Sequence, residues 1–163
     1  MGALRLISLL ALIACSNIYK NLEIVDDLTR VRIDMDSKTP EEYDFEYRLN
    51  NLLNQNTNKE SLYKLSVVFN IDTERLAVLN DTDTARERIV LDMKYKLYDD
   101  HQSEDKLLID ESFRLTSSYN TLFSPYSVDM EIEKTRRDLY LSSAEEIRRR
   151  LLLFFKQRKG SLK

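Results

Sequence analysis

The chain has 163 residues, 33% of them charged, a formal net charge of −3 at pH 7 and a single cysteine. A balance that near neutral argues against a dedicated nucleic-acid binder, which carries a marked basic excess, and one cysteine cannot build a disulfide scaffold. Glycine occurs only at Gly2 and Gly160, so no glycine-rich phosphate loop or nucleophile elbow is available.

Arg5 is followed by an apolar run, Leu6 to Ala14, that ends at Cys15. The run is too short for a bilayer-spanning helix, which takes about 20 apolar residues. It fits the apolar region of a secretory signal with a small residue at the cut, and it lacks the polar alternation of a half-buried strand. Leu12-Ile13-Ala14-Cys15 resembles the lipobox of bacterial lipoprotein signal peptides. The resemblance implies that residues 1–14 are removed and that Cys15 is acylated, palmitate included, as the first residue of the mature protein. Residues 15–28 then form a lipidated tether, 29–157 the domain and 158–163 a tail. The residues left after processing suffice for one domain with its own core. No later apolar run reaches membrane-spanning length, so the expected membrane contact is the covalent one.

From Thr29 to Met35 the pattern alternates, with Val31, Ile33 and Met35 on one face and Arg30, Arg32 and Asp34 on the other, which predicts a half-buried strand. Thr39-Pro40-Glu41-Glu42 is a helix start by two rules. Thr39 and Glu42 make a capping box, and Pro40 suits the first helical position. Phe45, Leu49, Leu52 and Leu53 follow at helical spacing. Leu62 to Ile71 reads as a second strand and the acidic stretch Asp72 to Thr84 as a loop. In the third strand Ile89, Leu91, Met93, Tyr95 and Leu97 point one way. Arg86, Arg88, Asp92, Lys94 and Lys96 point the other, with Val90 out of pattern. Leu107 to Tyr119 gives a fourth strand, hairpin-paired with the third.

Ser124-Pro125 marks a second helix start. Val128, Ile132, Thr135, Leu139, Ser143, Ile147, Leu151 and Phe154 then recur over roughly 28 residues, about 42 Å. Glu145–Arg149 and Glu146–Arg150 are favourable i,i+4 pairs on its outside. The order β-α-β-β-β-α predicts an α+β, two-layer sandwich: a four-stranded, mainly antiparallel sheet with two helices on one face.

This order, with several local matches, resembles the LPS-assembly lipoproteins (LptE-like), the lipid-anchored partners of the outer-membrane lipopolysaccharide translocon. The resemblance covers about residues 29–155. It rests on Arg48-Leu49-Asn50-Asn51-Leu52, Tyr63-Lys64-Leu65-Ser66-Val67, Tyr95-Lys96-Leu97-Tyr98-Asp99, Ser118-Tyr119-Asn120, Ser124-Pro125-Tyr126-Ser127 and Ser143-Ala144-Glu145-Glu146-Ile147. It implies a non-enzymatic protein without cofactor that plugs and helps assemble a β-barrel translocon, with lipopolysaccharide as a further partner. Ser16 is not the aspartate that marks inner-membrane retention in many lipoproteins, so the implied location is the periplasmic side of the outer membrane. Asn80-Asp81 and Val128-Asp129 stand where the family's lipopolysaccharide-contacting basic residues would be sought, and Arg86 and Arg88 are the nearest substitutes.

The remaining polar residues offer no catalytic constellation. His101, the only histidine, lies in a turn with carboxylates for neighbours and reads as solvated. Glu41-Glu42 and Glu145-Glu146 are adjacent on helices and so diverge by about 100°. Arg136-Arg137 and Arg148-Arg149-Arg150 read as solvated helix surface. Arg86, Arg88, Lys94 and Lys96 form a basic row on one sheet face. Given the resemblance, that row is a candidate contact for lipid phosphates or the barrel; otherwise it is the charged outside of a one-sided sheet. The alternative to a translocon plug is an independent lipid-anchored binding or escort module of the pilotin kind, and a lipoprotein enzyme is a distant third.

Overall fold

The computed structural model describes residues 26–37, 39–53, 60–76, 86–100, 106–121 and 124–161. Cys15, His101 and the Asn80-Asp81 pair lie outside them. After a helical turn at 26–28 the elements are β1 (Val31–Asp34), α1 (Pro40–Leu53), β2 (Tyr63–Arg75), β3 (Arg86–Asp99), β4 (Lys106–Asn120) and α2 (Pro125–Ser161). The fold is the expected α+β arrangement. The four strands lie in the order β1-β2-β3-β4, and both helices cover one face.

α1 begins where the capping box places it. The Thr39 backbone N–H donates to Glu42 Oε2 at 2.9 Å, and the Glu42 N–H donates to Thr39 Oγ1 at 3.3 Å. Phe45, Leu49 and Leu53 turn inward. The helix returns the chain to the start of the sheet, so β1 and β2 pair in parallel, Val31 opposite Tyr63 and Asp34 opposite Ser66. The other two pairings are antiparallel, as direct hairpins require.

β2 runs past Ile71 to Arg75, through residues expected in a loop. Cross-strand charge explains the extension: Glu74 meets Arg88 at 2.6 Å and Arg75 meets Glu87 at 3.5 Å, opposite-charge pairs of the kind that stabilise facing strands. On β3 the inward set is as expected, with Ile89, Leu91, Met93, Tyr95 and Leu97 all buried. Val90, on the other face, is also buried. A register irregularity between Leu97 and Tyr98 lets β4 carry both Leu107 and Leu108 opposite them.

α2 has 37 residues and is about 55 Å long, longer than expected and extending into the predicted tail. Its inner stripe is Leu139, Tyr140, Ser143, Ala144, Ile147, Leu151 and Phe155. The four-residue step continues from Leu151 to Phe155, so Phe155 is buried and Phe154 stays half-buried at the flank. The Ser143 hydroxyl, fully buried, donates to the Tyr140 carbonyl at 2.8 Å, so its polar group is satisfied inside the core. Phe45, Phe69 and Tyr140 form an aromatic cluster with centroids 5.3 to 6.2 Å apart. The domain also reaches into the predicted tether. Leu28 joins the core, and Lys159 binds Asp27 at 2.8 Å, tying the end of α2 to the first helical turn. None of the described helices is long and apolar enough to cross a membrane.

Candidate functional site

β2, β3 and β4 present one face to the helices and leave the other open. All four residues of the basic row, Arg86, Arg88, Lys94 and Lys96, lie on the open face, because they alternate with the buried residues of β3. The row is not a continuous band of cations. The buried Val90 side chain separates Arg88 from Asp92 and Lys94. Arg88 Nη2 is 2.6 Å from Glu74, while Lys94 and Lys96 share Asp110 at 3.8 and 3.4 Å.

The register brings a fifth cation to this face, one outside the basic row on β3. Arg114 on β4 faces Asp92 on β3 and grips it with two hydrogen bonds, of 2.6 and 2.8 Å. That bidentate geometry, favoured for guanidinium and carboxylate, holds the Asp92 carboxyl below its ordinary range. Between these groups the twisted sheet forms a concavity of about 490 Å³ lined by Val68, Asn70, Asp92, Lys94, Ser112 and Arg114. Val68, 66% exposed, is its apolar centre. Lower on the same face Lys64 lies over the Tyr98 ring, 5.1 Å from its centroid. An exposed aliphatic patch ringed by partly neutralised cations and amide groups is suited to recognising a polar or anionic surface. The signal for Arg114 was in the sequence: once β3 and β4 are a hairpin, charge alternation sets Asp92 against Arg114 and Lys94 and Lys96 near Asp110.

The helix side holds a second polar cluster. The Tyr95 hydroxyl donates to Glu111 Oε2 at 2.6 Å, Arg150 Nη1 donates to the same oxygen at 2.9 Å, and Arg150 Nε donates to Glu146 at 2.7 Å. The Arg150 guanidinium also stacks over Phe113, 4.8 Å from its centroid. Arg150 is therefore a tertiary link between α2 and β4, not the solvated surface residue expected. Arg149 pairs with Glu146 at 2.6 Å, three residues back, instead of with Glu145. Hydrogen bonds from Arg149 and Arg150 outweigh desolvation and pull the Glu146 carboxyl down to about 2. The Tyr95 hydroxyl is pushed well above its usual range, by burial first and by Glu111 next.

No family model matches the chain. It is 35% identical over 118 residues to the uncharacterised protein RP188 of Rickettsia prowazekii, covering 72% of this chain and 73% of that one. Among solved structures it is similar to a provisionally assigned lipoprotein from Caulobacter crescentus (TM-score 0.64, 12% identity, 83% of this chain and 97% of the other). It is also similar to a minor lipoprotein from Acinetobacter baumannii (TM-score 0.56, 16% identity, 76% and 90%) and to rare lipoprotein B from Shewanella oneidensis (TM-score 0.54, 10% identity, 81% and 97%). At these identities the likeness is one of fold.

Proposed function

This chain belongs to the family of the Rickettsia prowazekii protein RP188, and from that premise we propose that it is a lipid-anchored envelope lipoprotein that works through its surface, without catalysis. The observation that carries the reading is a conjunction. The lipobox-like Leu12-Ile13-Ala14-Cys15 precedes a domain whose fold is shared with three bacterial lipoproteins. Cys15 is the proposed site of acylation, and the helical turn at 26–28 is where its tether enters the domain.

The finer reading follows from the resemblance to LPS-assembly lipoproteins. The protein sits on the periplasmic side of the outer membrane and plugs a β-barrel translocon for lipopolysaccharide. Barrel lumens are polar where their outer faces are apolar, and the open sheet face, with Arg88, Lys94, Lys96 and Arg114 partly neutralised by carboxylates, suits such a lumen. Affinity purification of the full chain through its C-terminal end in mild detergent tests this reading. The expected co-purifying species is an outer-membrane β-barrel protein. Recovery of the chain alone, from a strain that expresses such a barrel, would overturn the plug role and leave the lipoprotein role standing.

A further inference from the structure

On the helix side of the sheet, away from the open face, a crevice of about 190 Å³ separates the start of α1 from the N-terminal half of α2. The inner stripe of α2 is buried from Leu139 onward and continues upstream through buried Thr135 to Ile132 and Val128, which pack against the core. Beside that stripe, on the flank that meets the start of α1, α2 carries Glu133, Arg136 and Arg137.

Arg136 Nε is buried and has no hydrogen-bond partner among the described residues. Its Nη1 stands 3.7 Å from Glu133, beyond hydrogen-bond reach. Nε itself is closed off, but the Arg136 side chain is 33% exposed and lines the crevice, so its outer guanidinium N–H groups are open to an acceptor from outside the chain. The crevice also holds carboxylates, Glu41, Asp44 and Glu133. Asp44 is engaged by Arg48 at 2.8 Å, which leaves Glu41 and Glu133 beside Arg136 and Arg137, two charges of each sign. Burial, and then the charge of Glu41, push the Tyr140 hydroxyl up to about 12, so at neutral pH it is an uncharged donor at the floor.

We propose that this crevice binds a small zwitterion that joins a phosphate to an amine, with the phosphate on Arg136 and Arg137 and the ammonium between Glu41 and Glu133. Two adjacent guanidinium groups offer more donors than one carboxylate uses and match the several oxygens of a phosphate. The amine follows from the carboxylates, which would repel a simple anion. The volume is below the roughly 300–1,000 Å³ of pockets that enclose drug-sized ligands, so the site takes a headgroup and not an acyl chain. The headgroup of phosphatidylethanolamine and free O-phosphoethanolamine share this chemistry.

The test is a calorimetric titration of the full chain in nonionic detergent with O-phosphoethanolamine, inorganic phosphate and ethanolamine. Saturable binding of the first, with the other two at least tenfold weaker, is expected. Arg136→Gln and Glu133→Gln should each weaken it at least tenfold. Should Arg136→Gln fail to fold, Arg137→Gln on the exposed rim carries the same test. Repeating the titration in lipid nanodiscs separates the sources. Binding blocked in phosphatidylethanolamine discs but kept in phosphatidylglycerol discs identifies the lipid headgroup, and binding kept in both identifies the free compound. The proposal is overturned if O-phosphoethanolamine shows no saturable binding in detergent or in phosphatidylglycerol discs, or if the folded variants bind it as the parent does.

Discussion

Tyr95 on β3 and Glu111 on β4 stand directly opposite each other in the sheet register, and the Tyr95 hydroxyl donates to the Glu111 carboxylate at 2.6 Å. A charge that faces the helix layer from an edge strand is normally a liability for packing. Here Arg150 meets it from α2 at 2.9 Å, so the carboxylate joins three elements instead of straining one. Tyr95→Phe removes one charge-assisted hydrogen bond and should cost about 1.5–3 kcal/mol. Arg150→Met deletes the links to Glu111 and Glu146 together and should cost more. For a domain of this size each kcal/mol is roughly 2–4 °C in Tm. Urea melts of both variants check the order, and an Arg150→Met protein as stable as the parent would show that the cluster contributes nothing net.

The same cluster sets an acid limit. Glu146 is held at about 2 and Glu111 is also lowered, the first chiefly by Arg149, the second chiefly by Tyr95. A carboxyl whose folded pKa is depressed contributes stability that is fully present above its unfolded value, near 4.3. That contribution is lost as pH falls through the folded value. Stability should therefore drop between about pH 4 and pH 2, and Glu146→Gln should flatten that drop while lowering stability at pH 7. Equal slopes for parent and variant in a pH series of denaturation midpoints would count against the assignment.

Leu91, at the centre of β3, is fully buried among the inward set. Leu91→Asp places an unpaired carboxylate in that layer, and burying an isolated charge costs more than a domain of this size has in reserve. The expected result is loss of the cooperative unfolding transition and of near-UV circular dichroism. Exposed Val68→Asp on the opposite face of the neighbouring strand serves as the control and should fold.

The inward residues of β3 and the capping box at Thr39 were legible in the sequence because each rests on local rules: period-two alternation and a fixed three-residue spacing. What was not legible depends on register. Asp72 to Arg75 looks like a loop until Glu74 has Arg88 beside it. Arg150 looks solvated on an isolated helix, and becomes a tertiary contact only when the hairpin sets Glu111 beneath it. Leu28 belonged to a stretch without periodicity, and its burial follows from the docking of the end of α2 against the turn at Asp27. The basic row was placed on the correct face, but its neutralisation by Glu74 and Asp110 and the addition of Arg114 required partners from two other strands.

Cys15→Ser tests the anchor. Each buried acyl methylene contributes about 0.8 kcal/mol, and more than one chain makes attachment stable. The variant should accumulate as a larger, unprocessed precursor and lose incorporation of labelled palmitate. A Cys15→Ser chain that is processed and labelled like the parent would remove lipidation from the proposed function.

The open face gives the sharpest test of the partner reading, because charge can be reversed there without entering the core. Arg86 is exposed, and Arg88 is 43% exposed at its side chain and bonded to Glu74. Changing both to glutamate sets two carboxylates side by side at Glu74, a penalty of about 1 kcal/mol or less between facing strands, so the fold should survive. The pair Lys94→Glu and Arg114→Glu acts instead at the concavity around Val68, releasing Asp92, leaving Asp110 to Lys96 alone and turning the patch strongly acidic. If the face meets a polar lumen or lipid phosphates, both double variants should reduce recovery of the barrel partner, the second more than the first. Binding by the parent should also weaken as salt rises from 0.05 to 0.5 M, since exposed charges are screened within about 10 Å at 0.1 M. Retention of the partner at parental levels by both variants, with no salt dependence, would reduce the basic row to the solvated outside of a one-sided sheet and move the search for the contact surface to the helix layer.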